Sequence, residues 1–170
     1  MRSIRIYGSP ELGVVSREVA LPGDSGLLES LLPDMERLLM DEEGLGLAAP
    51  QAGENVRVFL METSLLPSLQ GHRVFVNPVL QTGGPPSRHE EGCLSLPGIW
   101  EPVVRPSLVS ISACDEHGKP FALELDGMAA RVAQHENDHL DGITIMESSE
   151  FFYEDTEEGR AAAAKKKEND

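Results

Sequence analysis

The sequence is short of several things, and each shortage excludes something. It has two cysteines in 170 residues, Cys93 and Cys114, so it has no disulfide scaffold and a reducing cytoplasm is expected. Its 14 Lys and Arg face 29 Asp and Glu, a formal net charge of −15. Binding nucleic acid means neutralising phosphates, and docking on an anionic membrane needs the same sign of charge. Neither a nucleic-acid nor a membrane partner is therefore expected. No apolar run approaches the roughly 20 residues of a membrane span. The opening residues, MRSIRIYGSP, hold neither an apolar h-region nor a small-residue cleavage site, so no signal peptide is expected. What is present is ordinary for a globular chain: 40% apolar and 25% charged residues. The length suits one domain, or one domain plus a tail, and is enough to bury a core.

Along the chain, Leu28, Leu31, Leu32, Met35, Leu38 and Leu39 recur at helical spacing. Pro33 interrupts them, which predicts either a kink or a helix that starts near Pro33. Strand-like runs follow. Val56, Val58 and Leu60 alternate with Arg57 and Phe59. Val74-Phe75-Val76 is expected to end at Asn77-Pro78, and Gly83 to Ser87 reads as a loop. Leu108 to Ala113 and Phe121 to Leu125 flank a Gly-bearing turn and read as a hairpin. A second helix is expected from Gly127 to Leu140, with Asp126 as N-cap and Gly142 as stop. On it, Met128, Val132, His135 and His139 share one face. Strands joined by loops rather than helices point to an α+β fold with largely antiparallel pairing. Residues 1–146 form the expected domain, and 147–170 an acidic, then Lys-rich, tail that is a short helix or disordered.

His135-Glu136-Asn137-Asp138-His139 has the H-E-x-x-H pattern. Two histidines one helical turn apart can reach one metal ion, and the Glu beside them can work on water. The bland alternative is a pair of ordinary core or surface histidines. Asp138 supports the site or is a surface charge. A third ligand is needed, with Cys93, Cys114, His72, His89, His117 and scattered acids as candidates. Cys114 reads as a small buried thiol in a strand. His72 and His117 read as solvated loop residues. Cys93, in Glu91-Gly92-Cys93-Leu94-Ser95, stands at even odds between a ligand and a structural thiol. Gly44 to Gln51, GLGLAAPQ, allows close backbone approach, and Gln51 can donate to a developing oxyanion.

Taken together, GLGLAAPQ (44–51), EGCLS (91–95) and QHENDH (134–139) resemble the three motifs of the peptide deformylase family, complete and in order. The likeness spans about Ile4 to Ile145. It implies antiparallel sheets packed around a central HExxH-bearing helix. It implies one divalent metal ion on Cys93, His135 and His139: Fe²⁺ in the family, with Zn²⁺, Ni²⁺ or Co²⁺ as alternatives. It makes Glu136 the general acid/base, Gln51 and the Leu94 N–H the oxyanion donors, and Gly46 a lining residue of the cleft. The implied reaction is hydrolysis of the formyl group from N-formylmethionine at the start of new polypeptides.

The chain also departs from familiar members. Trp100 stands near a cleft mouth where several carry Arg, which predicts a more apolar surface for the peptide after Met. Arg131 and Val132, a turn before the histidines, are further substrate-binding candidates, with Val132 lining the methionine pocket or packing in the core. Glu91 and Arg105 are expected to pair and brace the Cys93 loop. The acidic stretch from Glu147 to Glu158 replaces the family's basic tail helix. A monomer meeting the ribosome only transiently is therefore expected. Two other classes stay open: a zincin-type metallopeptidase, and a non-catalytic formyl-peptide-binding homologue. The first takes its third ligand from a downstream His or acid, and the second has no need of Glu136.

Overall fold

The structure, a computed structural model, describes residues 1–150. Helix α1 (Ser25–Asp41) buries Leu28, Leu31, Met35, Leu38 and Leu39 on one face. It runs through Pro33 and starts eight residues before it, so the expected start near Pro33 is corrected. Pro33 and Glu29, whose carbonyl loses its helical partner, are both exposed. Water can therefore satisfy that carbonyl.

Five strands form one sheet in the order β1 (Gly46–Ala48), β2 (Val58–Met61), β3 (Val74–Cys93), β4 (Leu96–Cys114) and β5 (Pro120–Asp126). Every pairing in it is antiparallel, and with its helices the fold is α+β. All four residues of β2 are buried. Val58 and Leu60 join the α1 side of the core with Leu31 and Met35. Phe59 and Met61 join the other side with Ala130, Ala133 and Leu140. The sheet thus has a core on both faces, which is why this strand does not alternate between apolar and polar residues.

Two expectations about β3 are corrected. The strand does not end at Asn77-Pro78. It takes up an irregularity between Val76 and Val79, where Asn77 sits at φ +50° and its side chain bonds both the N–H and the carbonyl of Val19. Gly83 to Ser87 is not a loop either. It lies within β3, with a second register shift between Gly83 and Pro86. Glycine and proline are tolerated at such bulges, and pairing with β4 holds the strand on both sides of them. The β4–β5 hairpin forms as expected, closed by Asp115 N–H to Lys119 carbonyl (2.9 Å) with Gly118 at φ +82°.

Helix α2 (Gly127–Leu140) packs on β4, β1, β2 and β5. Asp126 precedes it in an extended conformation but makes no side-chain capping bond. Gly142, at φ +74°, ends it, and a Cβ there would sit 2.9 Å from the Gly13 carbonyl carbon. A short helix α3 (Ile145–Ser148) is capped by Thr144, and the Glu150 N–H then donates to the Pro102 carbonyl. The part of the expected tail from 151 to 170 lies outside the described residues. No helix among the described residues is long and apolar enough to cross a membrane.

Candidate active site

Three elements converge. β3 ends on Cys93, a two-residue turn (Leu94-Ser95) leads into β4, and α2 presents His135 and His139 one turn apart. One ligand atom from each of Cys93, His135 and His139 lies within 4.8 Å of the others. The Cys93 Sγ is 3.4 Å from His139 Nε2. His139 is fully buried, and burial holds its pKa well below the usual histidine range, with the His135 and Arg105 charges acting the same way. It is therefore a neutral imidazole, the form that binds metal.

His135 Nδ1 meets Glu91 Oε1 at 3.0 Å, which leaves Nε2 as its free donor atom. Burial pushes its pKa down, but hydrogen bonds to Cys93 and Glu91 and the nearby Glu136 charge outweigh burial and carry it to about 10. The surrounding groups thus favour positive charge at this point, as a cation site must. Two buried polar atoms without a protein partner lie here, Glu136 Oε2 and His139 Nδ1. One sulfur and two imidazole nitrogens, with a carboxylate alongside, fit a divalent transition-metal ion.

Glu136 is 3% exposed, and burial pushes its carboxyl up to about 7, a suitable range for taking and returning a proton near neutrality. Gln51 is also buried. Its Oε1 accepts from the Ala48 N–H, which turns its amide nitrogen toward Ser95 Oγ (3.1 Å) and Cys93 Sγ (3.5 Å).

A buried charge network braces these groups. Arg105 donates to Glu91 at 2.7 Å and to Asp138 at 2.8 Å, and both members of the Glu91 pair are buried. This is the pairing expected from the sequence. Arg131 also donates to Glu91 (2.8 Å), and to the carbonyls of Val103 and Ser87. Asp138 accepts from Ser148 Oγ as well. Burial alone would raise the Glu91 pKa, but hydrogen bonds and charge from His135 and Arg105 overcome it and hold the carboxyl at about 2. Its depressed folded value means that its stabilisation is present above the ordinary carboxylate range and fades as pH falls toward 2. Denaturant midpoints are expected to drop across that acid window. The Glu91→Gln variant, weaker at neutral pH, should show a shallower acid loss.

A cavity of about 580 Å³ opens above the site. Gly46, Gln51, Cys93, Leu94, Trp100, Arg131, Val132, His135 and Glu136 all line it, while His139 lies beneath. Arg131 borders the cavity, but its guanidinium is spent on Glu91 and two carbonyls. Its spacing from His135, one helical turn, was the available signal that both reach the same carboxylate. Reasoning on the sequence missed Ser95. The other histidines and the second cysteine lie elsewhere: His72 stacks on Phe121, His89 and His117 are exposed, and Cys114 is half-buried at the edge of the α1-side core. Gly46 has a sharper role than lining. A Cβ there would stand 2.6 Å from Glu136 Oε1. Gly46→Ala should therefore displace the carboxylate and cut kcat roughly tenfold to hundredfold with metal content retained, as measured by steady-state kinetics and elemental analysis.

A Cys-His-His donor set beside a buried carboxylate, at the floor of a cavity, defines the class of metal-dependent hydrolases. The comparisons agree on the member. Residues 1–151 match the Polypeptide deformylase family. A peptide deformylase from Treponema pallidum is 41% identical over 146 residues, covering 85% of each chain. The crystal structure of peptide deformylase from Thermotoga maritima superposes with a TM-score of 0.78 at 33% identity, over 88% of this chain and 97% of that one. One from Synechococcus elongatus, in complex with actinonin, gives 0.79 at 32%, over 96% and 85%. The chain belongs to the polypeptide deformylase family, metalloenzymes that deformylate nascent peptides.

Proposed function

We propose that Cys93, His135 and His139 hold one divalent cation, Fe²⁺ in the cell, and that Glu136, Gln51 and Leu94 carry the hydrolysis of N-formylmethionine at the start of new polypeptides. The observation behind this is the convergence of the three donor atoms within 4.8 Å next to the unpartnered Glu136 Oε2. When bound, the cation supplies a reactive water at neutral pH and Lewis acidity at the carbonyl. Glu136 takes the proton of the water that attacks the formyl carbon. Gln51 Nε2 and the Leu94 N–H donate to the formyl oxygen as negative charge gathers there. One such donor is typically worth about 2.7–4 kcal/mol. Glu136 then hands the proton to the departing amine as the carbon–nitrogen bond breaks, giving formate and a free N-terminus. Gly46, Trp100 and Val132 form walls for the methionine side chain and the residues after it. Arg131 acts from behind, holding Glu91 and through it His135. α2 is read as the central helix of the fold. The enzyme is read as a cytoplasmic monomer that meets nascent chains at the ribosome by diffusion rather than through its tail.

The test is a formate-release assay on formyl-Met-Ala-type peptides, run anaerobically with Fe²⁺ and repeated with Zn²⁺, Ni²⁺ and Co²⁺. One formate per peptide is expected. Cleavage of internal peptide bonds without formate would point to a zincin-type peptidase, and binding without turnover to a binding homologue.

A further inference from the structure

Residues 2–7 belong to no helix or strand, yet they are tied down along their length. The Arg2 N–H donates to Asp34 Oδ2 (3.0 Å), and the Arg2 carbonyl accepts from the Arg37 guanidinium (2.8 Å), which fastens the segment to α1. Ile4 packs against the α1 side of the core. The Arg5 N–H then donates to the Gln51 carbonyl (2.7 Å), and the Tyr7 N–H to the Ser95 carbonyl (2.8 Å). Residues two apart in an extended chain present their N–H groups on the same edge. One edge of a short segment therefore joins two loops whose partners, Gln51 and Ser95, stand 44 residues apart. Neither Arg5 nor Tyr7 lines the cavity, so both act as positioning residues rather than catalytic ones.

These two loops carry both proposed oxyanion donors: Gln51 itself, in the 3₁₀ turn Ala49–Ala52, and the N–H of Leu94, next to Ser95. They also meet through their side chains, because Gln51 Nε2 donates to Ser95 Oγ (3.1 Å). The Ala48 N–H can only donate, so the amide atom facing it is Oε1, and the amino end of Gln51 is thereby fixed. That end has two N–H bonds. Ser95 takes one, and the other is free to turn toward Cys93, where Gln51 and Cys93 both line the cavity. Gln51 and Ser95 are buried, so bulk water does not compete for these bonds. The terminal torsion of a Gln side chain is intrinsically broad, and the Ser95 hydroxyl narrows it.

We propose that Arg5, Tyr7 and Ser95 form a strap that holds the two oxyanion donors, Gln51 and the Leu94 N–H, in fixed positions relative to one another. The inference rests on the deformylase reading of the site. Donors set in place beforehand need no reorganisation as charge gathers on the formyl oxygen, so the strap acts on kcat rather than KM.

The experiment reads kcat and KM for formate release from formyl-Met-Ala-Ser, at equal metal content and below each variant's thermal midpoint. Ser95→Ala is expected to lower kcat roughly tenfold with KM within about twofold. Gln51→Ala should lower kcat about a hundredfold or more, and adding Ser95→Ala to it should cost no more than about twofold further, because the hydroxyl acts through that amide. Tyr7 occupies the second position of a turn closed by the Ser9 N–H to the Ile6 carbonyl (2.9 Å), with Gly8 third at φ +97°. Proline suits that second position. Tyr7→Pro therefore keeps the turn but replaces the N–H with a ring carbon that pushes the strap off Ser95. Its kcat should fall roughly tenfold below that of Tyr7→Ala, which loses the same phenol ring and keeps the N–H. Equal kcat in the two Tyr7 variants would overturn the strap. So would losses from Ser95→Ala and Gln51→Ala that simply multiply, which is what a merely structural role for Ser95 gives. The Ser95 cycle decides even where Tyr7→Pro fails to fold. A wild type that releases no formate would instead overturn the reading beneath the proposal.

Discussion

Glu136→Gln is expected to keep its metal and lose turnover by about a thousandfold or more. Gln has nearly the shape of Glu, so the tight contact with Gly46, where even a Cβ would stand at 2.6 Å, remains satisfied. The donor atoms of Cys93, His135 and His139 are untouched. What changes is proton traffic: an amide cannot accept a proton from water or return one to the amine. In the wild type, burial places the Glu136 carboxyl at about 7, so it is poised to do both. A base must be deprotonated to act, so the wild-type rate should fall on the acid side, and the variant's residual rate should lose that dependence. Metal content by elemental analysis and kcat on a formylated peptide together check the prediction. A near-normal rate with full metal would remove Glu136 from the acid/base role.

Much of this was legible in the sequence, for physical reasons that differ from element to element. Helix α2 and the β4–β5 hairpin were readable because their signals are local: apolar spacing over Gly127–Leu140, and a Gly at the turn position that adopts φ +82°. β3 was misread for the same reason. Asn77-Pro78 and Gly83 to Ser87 carry turn chemistry locally, and only the partner strand β4, from distant sequence, keeps them in the ladder. The surroundings of Cys114 marked it as a strand thiol but left Cys93 evenly balanced between ligand and structural thiol; the order of three motifs tipped the reading to ligation. The contact of Gly46 with Glu136 was beyond reach, because it joins residues far apart through the packing of β1 on α2. The Glu91–Arg105 pair was readable as opposite charges near the Cys93 loop. Its extension to Arg131 needed the fact that the buried carboxylate serves both strand and helix.

Cys93→Ser is the second change with a large expected effect, and it acts by a different route. It should empty the metal centre rather than slow a loaded one. The sulfur stands 3.4 Å from His139 Nε2 and 3.5 Å from Gln51 Nε2, at the end of a strand whose backbone is pinned by the ladder to β4. A serine oxygen hangs on a shorter bond, so it recedes from the two imidazoles, and the strand cannot move to follow it. A hydroxyl is also far harder to deprotonate than a thiol and is a poorer partner for a soft transition-metal ion. Loss of a supporting outer-shell group typically costs about 10–100-fold in affinity or activity, and losing a ligand should cost more. His135 and His139 alone, with Glu136 alongside, would hold an ion only weakly. The prediction is therefore low metal content after dialysis, activity down by more than about a hundredfold, and partial recovery only in excess metal. The native thiol carries a complementary liability. It can be oxidised, and an Fe²⁺ ion held beside it, as proposed above, would make the site sensitive to air, so wild-type activity loaded with Fe²⁺ should decay under oxygen and persist anaerobically. Ni²⁺ loading should slow that decay, whereas Cys93→Ser loses the function of the site with or without oxygen. Normal metal content and rate in the serine variant would remove Cys93 from the ligand set and leave His135 and His139 in need of another third partner.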